Sequence, residues 1–269
     1  MLNKRIISAA IFIPACLIIV IAGGWLFVLA VCALLGVAAW EFWNMFRAGK
    51  FSPSPIVLIP GVILLALSKV VYAYDFRSLV FSALILIAMA IHTFEYEKGS
   101  NTAGIDLCIT IGGLAYVGWL GSYLILLRSL PDGPYWIILS ILGVGISDIG
   151  AYFVGSMFGH HKISTRVSPK KSLEGYIGGI LFAALFGCLF GYFVHPYATR
   201  ITFINGLILG IIVSLVALLG DLGESMLKRQ FNLKDSSHII PGHGGILDRI
   251  DTWLWAAVIS FYLISWFWL

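Results

Sequence analysis

Long runs of apolar residues, separated by short polar or glycine- and proline-containing segments, recur along the whole chain. A bilayer hydrocarbon core about 30 Å thick requires about 20 apolar residues in a spanning helix. Runs of this kind predict nine transmembrane helices, at residues 6–22, 25–46, 55–74, 78–94, 104–127, 135–158, 173–194, 202–227 and 250–269. The runs are too long for barrel strands, and helices satisfy their own backbone groups in lipid. The predicted fold is therefore an all-α, polytopic helical membrane bundle.

The breaks between the runs contain residues that favour turns. Gly23-Gly24 leaves so little chain that the first two helices are expected to form a tight hairpin. Three later boundaries fall at residues 52–55, 131–134 and 195–196. The N-terminus has the charge pattern of a signal peptide, but Ile13-Pro-Ala-Cys16 is a poor cleavage site. We interpret the first run as a retained transmembrane helix.

The composition excludes most soluble classes of protein. Hydrophobic residues make up 60% of the 269 residues and charged residues 11%, against about 25% charged residues in an average soluble domain. A soluble fold could not bury so much apolar surface, and neither nucleic-acid binding, disorder nor a disulfide scaffold is expected. The four cysteines lie in apolar runs without a C-x-x-C pair, which favours inert thiols over a zinc or redox site.

Basic residues are distributed unequally between the two sides that nine spans would create. With a cytoplasmic N-terminus, thirteen of the seventeen lie on the cytoplasmic side, and the four on the other side are Lys69, Arg77, Arg128 and Arg200. This bias predicts a cytoplasmic N-terminus and an external C-terminus. A short chain without an added soluble domain favours a bacterial inner membrane over an organelle.

The polar residues also divide the chain into two parts. Two predicted cytoplasmic loops, at residues 159–172 and 228–249, contain eight of the seventeen basic residues and four of the six histidines. Both loops lie in residues 131–269, which we predict to be the catalytic part. Residues 1–130 have nothing comparable and are predicted to form transmembrane scaffold helices.

Five carboxylates lie in or beside the apolar runs of the catalytic part: Asp148, Asp221, Glu224, Asp248 and Asp251. A charged side chain at such depth costs at least about 2.5 kcal/mol, so it usually faces a polar cavity or a partner. Asp221 and Asp248 could form buried salt bridges with Lys228 and Arg249. Acids beside many cations and glycines more often indicate a metal bound with a phosphate substrate, and Mg²⁺ takes one or two carboxylates there.

Cations and hydroxyls cluster near these acids, at Lys170, Lys171, Lys228, Arg229, Lys234, Arg249, Ser168, Ser172 and Ser237. Such side chains can bind phosphate, although a solvated positive face would look similar. The glycines of Pro241-Gly-His-Gly-Gly245 favour the phosphate interpretation, since they expose backbone N–H groups to an anion. His243, within that loop, could be catalytic or a structural hydrogen-bonding residue.

Two motifs carry a family resemblance. The first reads Ser225-x2-Lys228-Arg229-x4-Lys234-Asp235-x-Ser237-x2-Ile240-Pro241-x-His243-Gly244-Gly245-Ile246-x-Asp248-Arg249-Ile250-Asp251. The second reads Ser147-Asp148-x2-Ala151-Tyr152-x2-Gly155, followed by Ser168-Pro-Lys-Lys-Ser-x-Glu174-Gly175. Together they resemble the phosphatidate cytidylyltransferases, or CDP-diacylglycerol synthases. The likeness is specific in the C-terminal half, whereas the N-terminal half is similar only in having several hydrophobic spans.

The resemblance implies a metal-dependent enzyme that transfers CMP from CTP to phosphatidate and releases pyrophosphate. It implies that Mg²⁺, with a second cation as an option, is held by Asp221 and Asp248, with Asp148 and Glu224 completing or orienting the site. The catalytic set is then Asp221, Asp248, His243, Lys234 and Arg249. The substrate-binding set is Ser168, Lys170, Lys171, Ser172, Ser225, Lys228, Arg229, Gly244 and Gly245.

The expected partners are CTP, phosphatidate and membrane lipids, together with a second copy of the chain in a homodimer. Two other functions are open to a polytopic protein with such acids. In a transporter, Asp148 and Asp221 would be ion sites, but the chain lacks inverted halves. A CDP-alcohol phosphotransferase would need a D-G-x2-A-R-x8-G-x3-D-x3-D pattern, which is absent from the sequence.

Overall fold

A computed structural model describes residues 14–71, 74–239 and 244–269. Residues 14–22 form α1. The later helices are α2 (Gly24–Ala48), α3 (Pro55–Ser68), α4 (Tyr74–Glu97), α5 (Ala103–Gly113), α6 (Tyr123–Ser129), α7 (Gly133–Phe158), α8 (Leu173–Val194), α9 (Phe203–Gln230) and α10 (Leu247–Phe267). A π-helical segment, Leu114–Leu120, follows α5 directly.

The all-α membrane bundle predicted from the sequence is confirmed. Within the described residues, seven helical stretches are long and apolar enough to cross a membrane, with Ala103–Ser129 counted as one. The predicted span at 55–74 is shorter than expected, because α3 has 14 residues and ends at Ser68. The predicted first span at 6–22 lies partly outside the described residues. The orientation in the membrane stays a prediction.

The predicted breaks coincide with the ends of helices. Gly23 and Gly24 have φ values of 63° and 55°, a left-handed backbone that glycine adopts without steric cost. One non-helical residue therefore separates α1 from α2. Pro55 is the first residue of α3, where its missing N–H costs no helical hydrogen bond.

The chain divides into two compact units. The described part of the first unit comprises residues 14–71, 74–126, 230–239 and 244–250. Its apolar core includes Leu35 of α2, Leu58 and Leu65 of α3 and Leu114 of the π-helical segment, all fully buried. The ring of Phe231 packs against that of Phe46 on α2, with 5.0 Å between the centroids. The segment after α9 is thereby anchored to a helix from the first half of the chain.

The second unit comprises residues 127–229 and 251–269. Glycines let α7 and α8 approach closely, since a Cβ atom on Gly175 would lie 2.7 Å from the carbonyl oxygen of Ala151. Buried hydroxyls also link its helices, and Ser147 of α7 lies 2.6 Å from Ser214 of α9. Large apolar side chains such as Met157 (70% exposed) and Phe193 (66% exposed) cover the outside. This surface is suited to lipid rather than water.

Candidate functional site

The loop at residues 159–172 folds back on itself and fixes the backbone of its last two residues, Lys171 and Ser172. The N–H of Ile163 donates to the carbonyl of Lys171 at 3.1 Å, and Lys171 N–H donates to the carbonyl of Ser168 at 3.2 Å. Lys162 and Ser172 form an isolated antiparallel bridge. Lys171 is therefore held by main-chain hydrogen bonds on both of its peptide groups, which limits where its side chain can reach.

The start of α8 closes the base of this loop. Ser172 is the N-cap of α8, and its buried hydroxyl accepts a hydrogen bond from Gly175 N–H at 3.2 Å. The carboxylate of Glu174 accepts hydrogen bonds from the backbone N–H groups of His160 and His161, both at 3.1 Å. These contacts make Ser172, a predicted substrate-binding residue, part of the frame that positions Lys171.

A cavity of about 330 Å³ lies in the second unit, between this loop and three helices. Its wall includes Asp148 and Tyr152 of α7, Lys170 and Lys171 of the loop, and Tyr176 of α8. The two parts of the second motif, residues 147–155 and 168–175, thus line one cavity although about a dozen residues separate them. The residues of the second motif are therefore close in space, because they line the same cavity.

Asp221 of α9 is held by a cation and a hydroxyl. Its Oδ2 atom forms an ion pair with Lys171 Nζ, and its Oδ1 atom accepts a hydrogen bond from Ser225 at 3.1 Å. The side chains of Lys171 and Asp221 are 28% and 32% exposed. A pair with this exposure is accessible from water, so a charged ligand can compete for either member.

The second acid of α9 is in a different environment. Glu224 is 1% exposed and pairs with Lys228, one turn later on the same helix. Because both side chains are almost fully buried, this ion pair is a contact inside the second unit and is hardly accessible to water. In the structure Lys228 pairs with Glu224 and Asp221 pairs with Lys171, whereas the salt-bridge alternative from the sequence paired Asp221 with Lys228.

Asp251 was not among the predicted site residues, although it closes the first motif. It is 5% exposed, lies in α10 and is within electrostatic range of Asp221, Asp148 and Lys228. The sequence contains a signal that could have identified Asp251. It follows Asp248 by three positions at the start of a predicted membrane helix, so the two acids share one face of that helix. Three helices thus contribute carboxylates to the same part of the second unit.

In the first unit, Asp248 organises the glycine-containing end of the first motif. Its Oδ2 atom accepts hydrogen bonds from Ser236 N–H, the Ser236 hydroxyl and Gly245 N–H, at 2.9, 3.0 and 2.8 Å. Gly244 has a φ of 81°, and a Cβ atom there would lie 2.7 Å from the same oxygen. The backbone at Gly244 therefore needs glycine both for its conformation and for its close approach to Asp248.

Sequence reasoning missed Glu41, a fully buried acid of α2 in the predicted scaffold. Its carboxylate accepts hydrogen bonds from the segment around Ser236 and Leu247 in the same unit. The signal for it was present, because Glu41 is an ionisable residue inside the predicted apolar run at 25–46.

The remaining predicted site residues differ in their exposure, and the two main acids differ in the unit to which they belong. Lys170, Arg229, Lys234 and Arg249 are exposed, and Ser168 is half-buried in the loop. His243 lies outside the described residues. Asp221 belongs to the second unit and Asp248 to the first. The catalytic and substrate-binding roles of all the residues in this paragraph stay predictions.

The donor set is compatible with Mg²⁺ delivered together with a phosphate ligand. The described residues contain no group of three His, Cys, Asp or Glu side chains arranged to hold a metal ion. Mg²⁺ needs only one or two carboxylates, because water and substrate phosphates complete its octahedron. The Lys171 ammonium on Asp221 Oδ2 shows that this carboxylate accepts a cation at that point. Asp221, with Asp251 and Asp148 nearby, therefore fits the predicted cofactor.

Comparisons with known proteins give matches over nearly the whole chain. A family model described as the cytidylyltransferase family matches residues 3–267. A protein of Synechocystis sp. named phosphatidate cytidylyltransferase is 32% identical and covers 97% of this chain and 96% of its own length. Proteins of the same name from Staphylococcus saprophyticus and Staphylococcus haemolyticus are 31% and 33% identical, each covering 93% of this chain and 92% of its own length.

Proposed function

This chain belongs to the cytidylyltransferase family, and we propose that it transfers CMP from CTP to phosphatidate, forming CDP-diacylglycerol and pyrophosphate. The observation that carries the proposal is the ion pair between Lys171 and Asp221 beside a cavity lined by the second motif. A water-accessible pair of opposite charges suits a site that must accept both a polyanion and its metal counter-ion.

The reaction brings two polyanions together, so cations are needed to reduce their repulsion. Lys170 and Lys171 project from the cavity wall and would bind phosphate oxygens. Tyr152, which also lines the cavity, is 73% exposed on an outer surface of the unit that we propose to face lipid. An opening on that side would admit the phosphate of phosphatidate while its acyl chains stay in the bilayer.

The chemistry requires no protein nucleophile. An oxygen of the phosphatidate phosphate forms a bond to the α-phosphorus of CTP, and the bond from that phosphorus to the bridging oxygen of the β-phosphate breaks. Pyrophosphate leaves with the electron pair, and no proton has to move in the bond-forming step. Catalysis is then mainly positioning and charge neutralisation.

The carboxylate that we propose to hold Mg²⁺ is Asp221, with Asp251 and Asp148 in the same part of the second unit. The roles predicted from the sequence for Asp248 and Glu224 as further ligands, and a second cation, stay predictions. The ion would supply positive charge at the phosphate oxygens. Lys171, released from Asp221, would move its ammonium to a substrate phosphate. Arg229 and Arg249, whose side chains are exposed, are proposed to bind phosphates as well, and Lys228 would do so only after leaving Glu224. His243 with Gly244 and Gly245 is proposed to lie against the nucleotide.

The proposed location of the site is the cytoplasmic face of a bacterial inner membrane. The supporting feature is charge: residues 159–172 and 228–249 contain eight of the seventeen basic residues. CTP would then enter from the side on which it is made. The homodimer also stays a prediction.

The experiment that tests the function is an assay of purified protein in detergent with CTP and phosphatidate. We expect formation of CDP-diacylglycerol and pyrophosphate in equal amounts with Mg²⁺ present. Chelation by EDTA should abolish turnover, and adding back Mg²⁺ should restore it, because the phosphates would otherwise repel each other. Folded protein that forms no product with lipid, CTP and metal supplied would contradict the proposal.

Replacing Lys234 by alanine should raise the KM for CTP about two- to fivefold, the effect of an exposed charge that contacts a phosphate. The matched control is Lys98→Ala, since Lys98 is also exposed and belongs to the same unit. Steady-state kinetics at fixed ionic strength would measure both variants. Equal KM values for the two would show that Lys234 belongs to a solvated positive face.

A further inference from the structure

Glu41 is an acid in the apolar core of the first unit. It is 0% exposed, and its neighbours along α2, Ala39, Phe42 and Met45, are buried too. A carboxylate there is costly unless its oxygens are hydrogen-bonded. Its position in a membrane helix therefore requires partners that contribute several hydrogen bonds.

Those partners all come from one segment of the first motif. Oε1 accepts hydrogen bonds from the Ser237 hydroxyl at 2.5 Å and from Ile246 N–H at 2.9 Å. Oε2 accepts from Leu247 N–H at 2.6 Å, and it lies 3.1 Å from the Ser236 hydroxyl, which shares its one hydrogen with Asp248. The donors lie about 200 positions further along the chain, so the contact ties the first half of the sequence to the motif.

The two backbone donors have a particular position. Leu247 is the first residue of α10, and Ile246 precedes it. The N–H groups at a helix start have no partner within the helix, and the helix dipole favours a negative charge there. Glu41 thus acts as an N-terminal cap of α10 supplied by another helix, and it fixes where the first turn of α10 begins.

Gly245 shows how closely the carboxylate packs. A Cβ atom on Gly245 would lie 2.6 Å from Oε1 and 2.7 Å from Oε2 of Glu41. Real side chains do not approach so closely, so the carboxylate occupies the space that a side chain at position 245 would need. Glu41 can therefore occupy this position only because residue 245 is glycine.

The same turn also carries Asp248. The Ser236 hydroxyl lies 3.1 Å from Glu41 Oε2 and 3.0 Å from Asp248 Oδ2, and Gly245 N–H donates to that same Asp248 oxygen. Glu41 and Asp248 therefore both accept hydrogen bonds from residues of the same turn. A change at Glu41 would move the backbone that determines the position of the Asp248 carboxylate.

We propose that Glu41 is a positioning residue, which holds residues 236–237 and 245–247 so that Gly244, Gly245 and Asp248 are correctly placed for the nucleotide. It acts through this segment and not by contact with substrate, since its side chain is fully buried. The proposal rests on the proposed function for its substrate, and on the hydrogen bonds of the first unit for its geometry.

The test is Glu41→Gln, which keeps the shape but replaces one accepting oxygen by an NH₂ group that faces donors. We expect about a tenfold rise in the KM for CTP, because hydrogen bonds to a charged acceptor are lost. The KM for phosphatidate should stay unchanged. A merely structural loss would lower kcat with the amount of folded enzyme and leave both KM values alone. Glu41→Asp keeps the charge and should recover part of the effect.

Hydrogen exchange provides a readout that is independent of activity. Peptides containing Ile246 and Leu247 should exchange faster in Glu41→Gln than in the wild type, since their N–H groups lose acceptors. The matched control is Glu95→Gln, which neutralises a different carboxylate of the same unit, with its Oε2 atom 2.6 Å from His92 Nδ1. It should change neither the exchange of these peptides nor the KM for CTP.

The outcomes separate the two proposals. Wild-type KM for CTP and unchanged exchange in folded Glu41→Gln would overturn the role of Glu41 and leave the proposed function intact. A wild type that makes no CDP-diacylglycerol would overturn the proposed function, while faster exchange in the variant would still support the positioning of the segment. If Glu41→Gln does not fold, Ser237→Ala removes one donor instead, and an unchanged KM for CTP would count against the proposal.

Discussion

Replacing Asp221 by asparagine is expected to lower kcat/KM about 100-fold, the order of effect seen when a charged group of a metal or transition-state site is removed. Asparagine fills the same space but has no charge to hold the ammonium of Lys171 or to attract Mg²⁺. The hydrogen bond from Ser225 to Oδ1 can persist. The loss should therefore appear in turnover and in the Mg²⁺ concentration required, with little change in folding.

The matched control is Asp132→Asn in the same unit. Asp132 precedes α7 and pairs with Arg200 at 3.7 Å, at the end of α7 remote in sequence from the cavity residues 147–156. Such a pair contributes at most about 1 kcal/mol to the free energy of unfolding. The Asp132→Asn enzyme should therefore keep its activity within about twofold of the wild type. If folded Asp221→Asn protein has full metal-dependent turnover, Asp221 is not part of the catalytic site.

Helix boundaries were predictable where an apolar run and a cap coincide. The run at 173–194 follows Ser172, and the structure has α8 at the predicted residues, with Ser172 as its N-cap. The predicted C-terminal end of the span at 55–74 was wrong, because the apolar run continues beyond Ser68, where α3 ends. Lys69 is the C-cap residue of α3, and its ammonium lies 3.6 Å from the ring centroid of Trp119, so a buried cation stands where the sequence predicted the span to continue.

The candidate site was predictable where its residues are close in sequence. Residues 147–155 and 168–175 could be recognised as one motif, and a shared cavity wall is a short-range consequence of two helices and one loop. The role of Glu41 could not be predicted in this way. Periodicity and motif spacing describe neighbours along the chain, whereas its donors lie about 200 residues away. An isolated acid in an apolar run indicates a partner but does not identify it.

Replacing Gly245 by alanine is expected to lower kcat/KM about 100-fold, because displacement of a positioned group by about 1 Å can have this effect. The added Cβ atom would lie 2.6 Å from Glu41 Oε1 and would also overlap the Ser236 hydroxyl. Glu41 sits in a packed helix, so the loop has to move. That movement would break the hydrogen bond from Gly245 N–H to Asp248, which is 2.8 Å long in the structure.

Gly112→Ala is the matched control, because a Cβ atom on Gly112 would meet nothing within 4 Å and the residue lies in α5 of the same unit. Alanine in a helix is also more stable than glycine by roughly 1 kcal/mol, so this variant should be fully active and slightly more stable. Kinetics and thermal unfolding of the two variants would be measured together. Wild-type kcat/KM in Gly245→Ala would show that the turn tolerates displacement, and that the position of Asp248 does not limit the reaction.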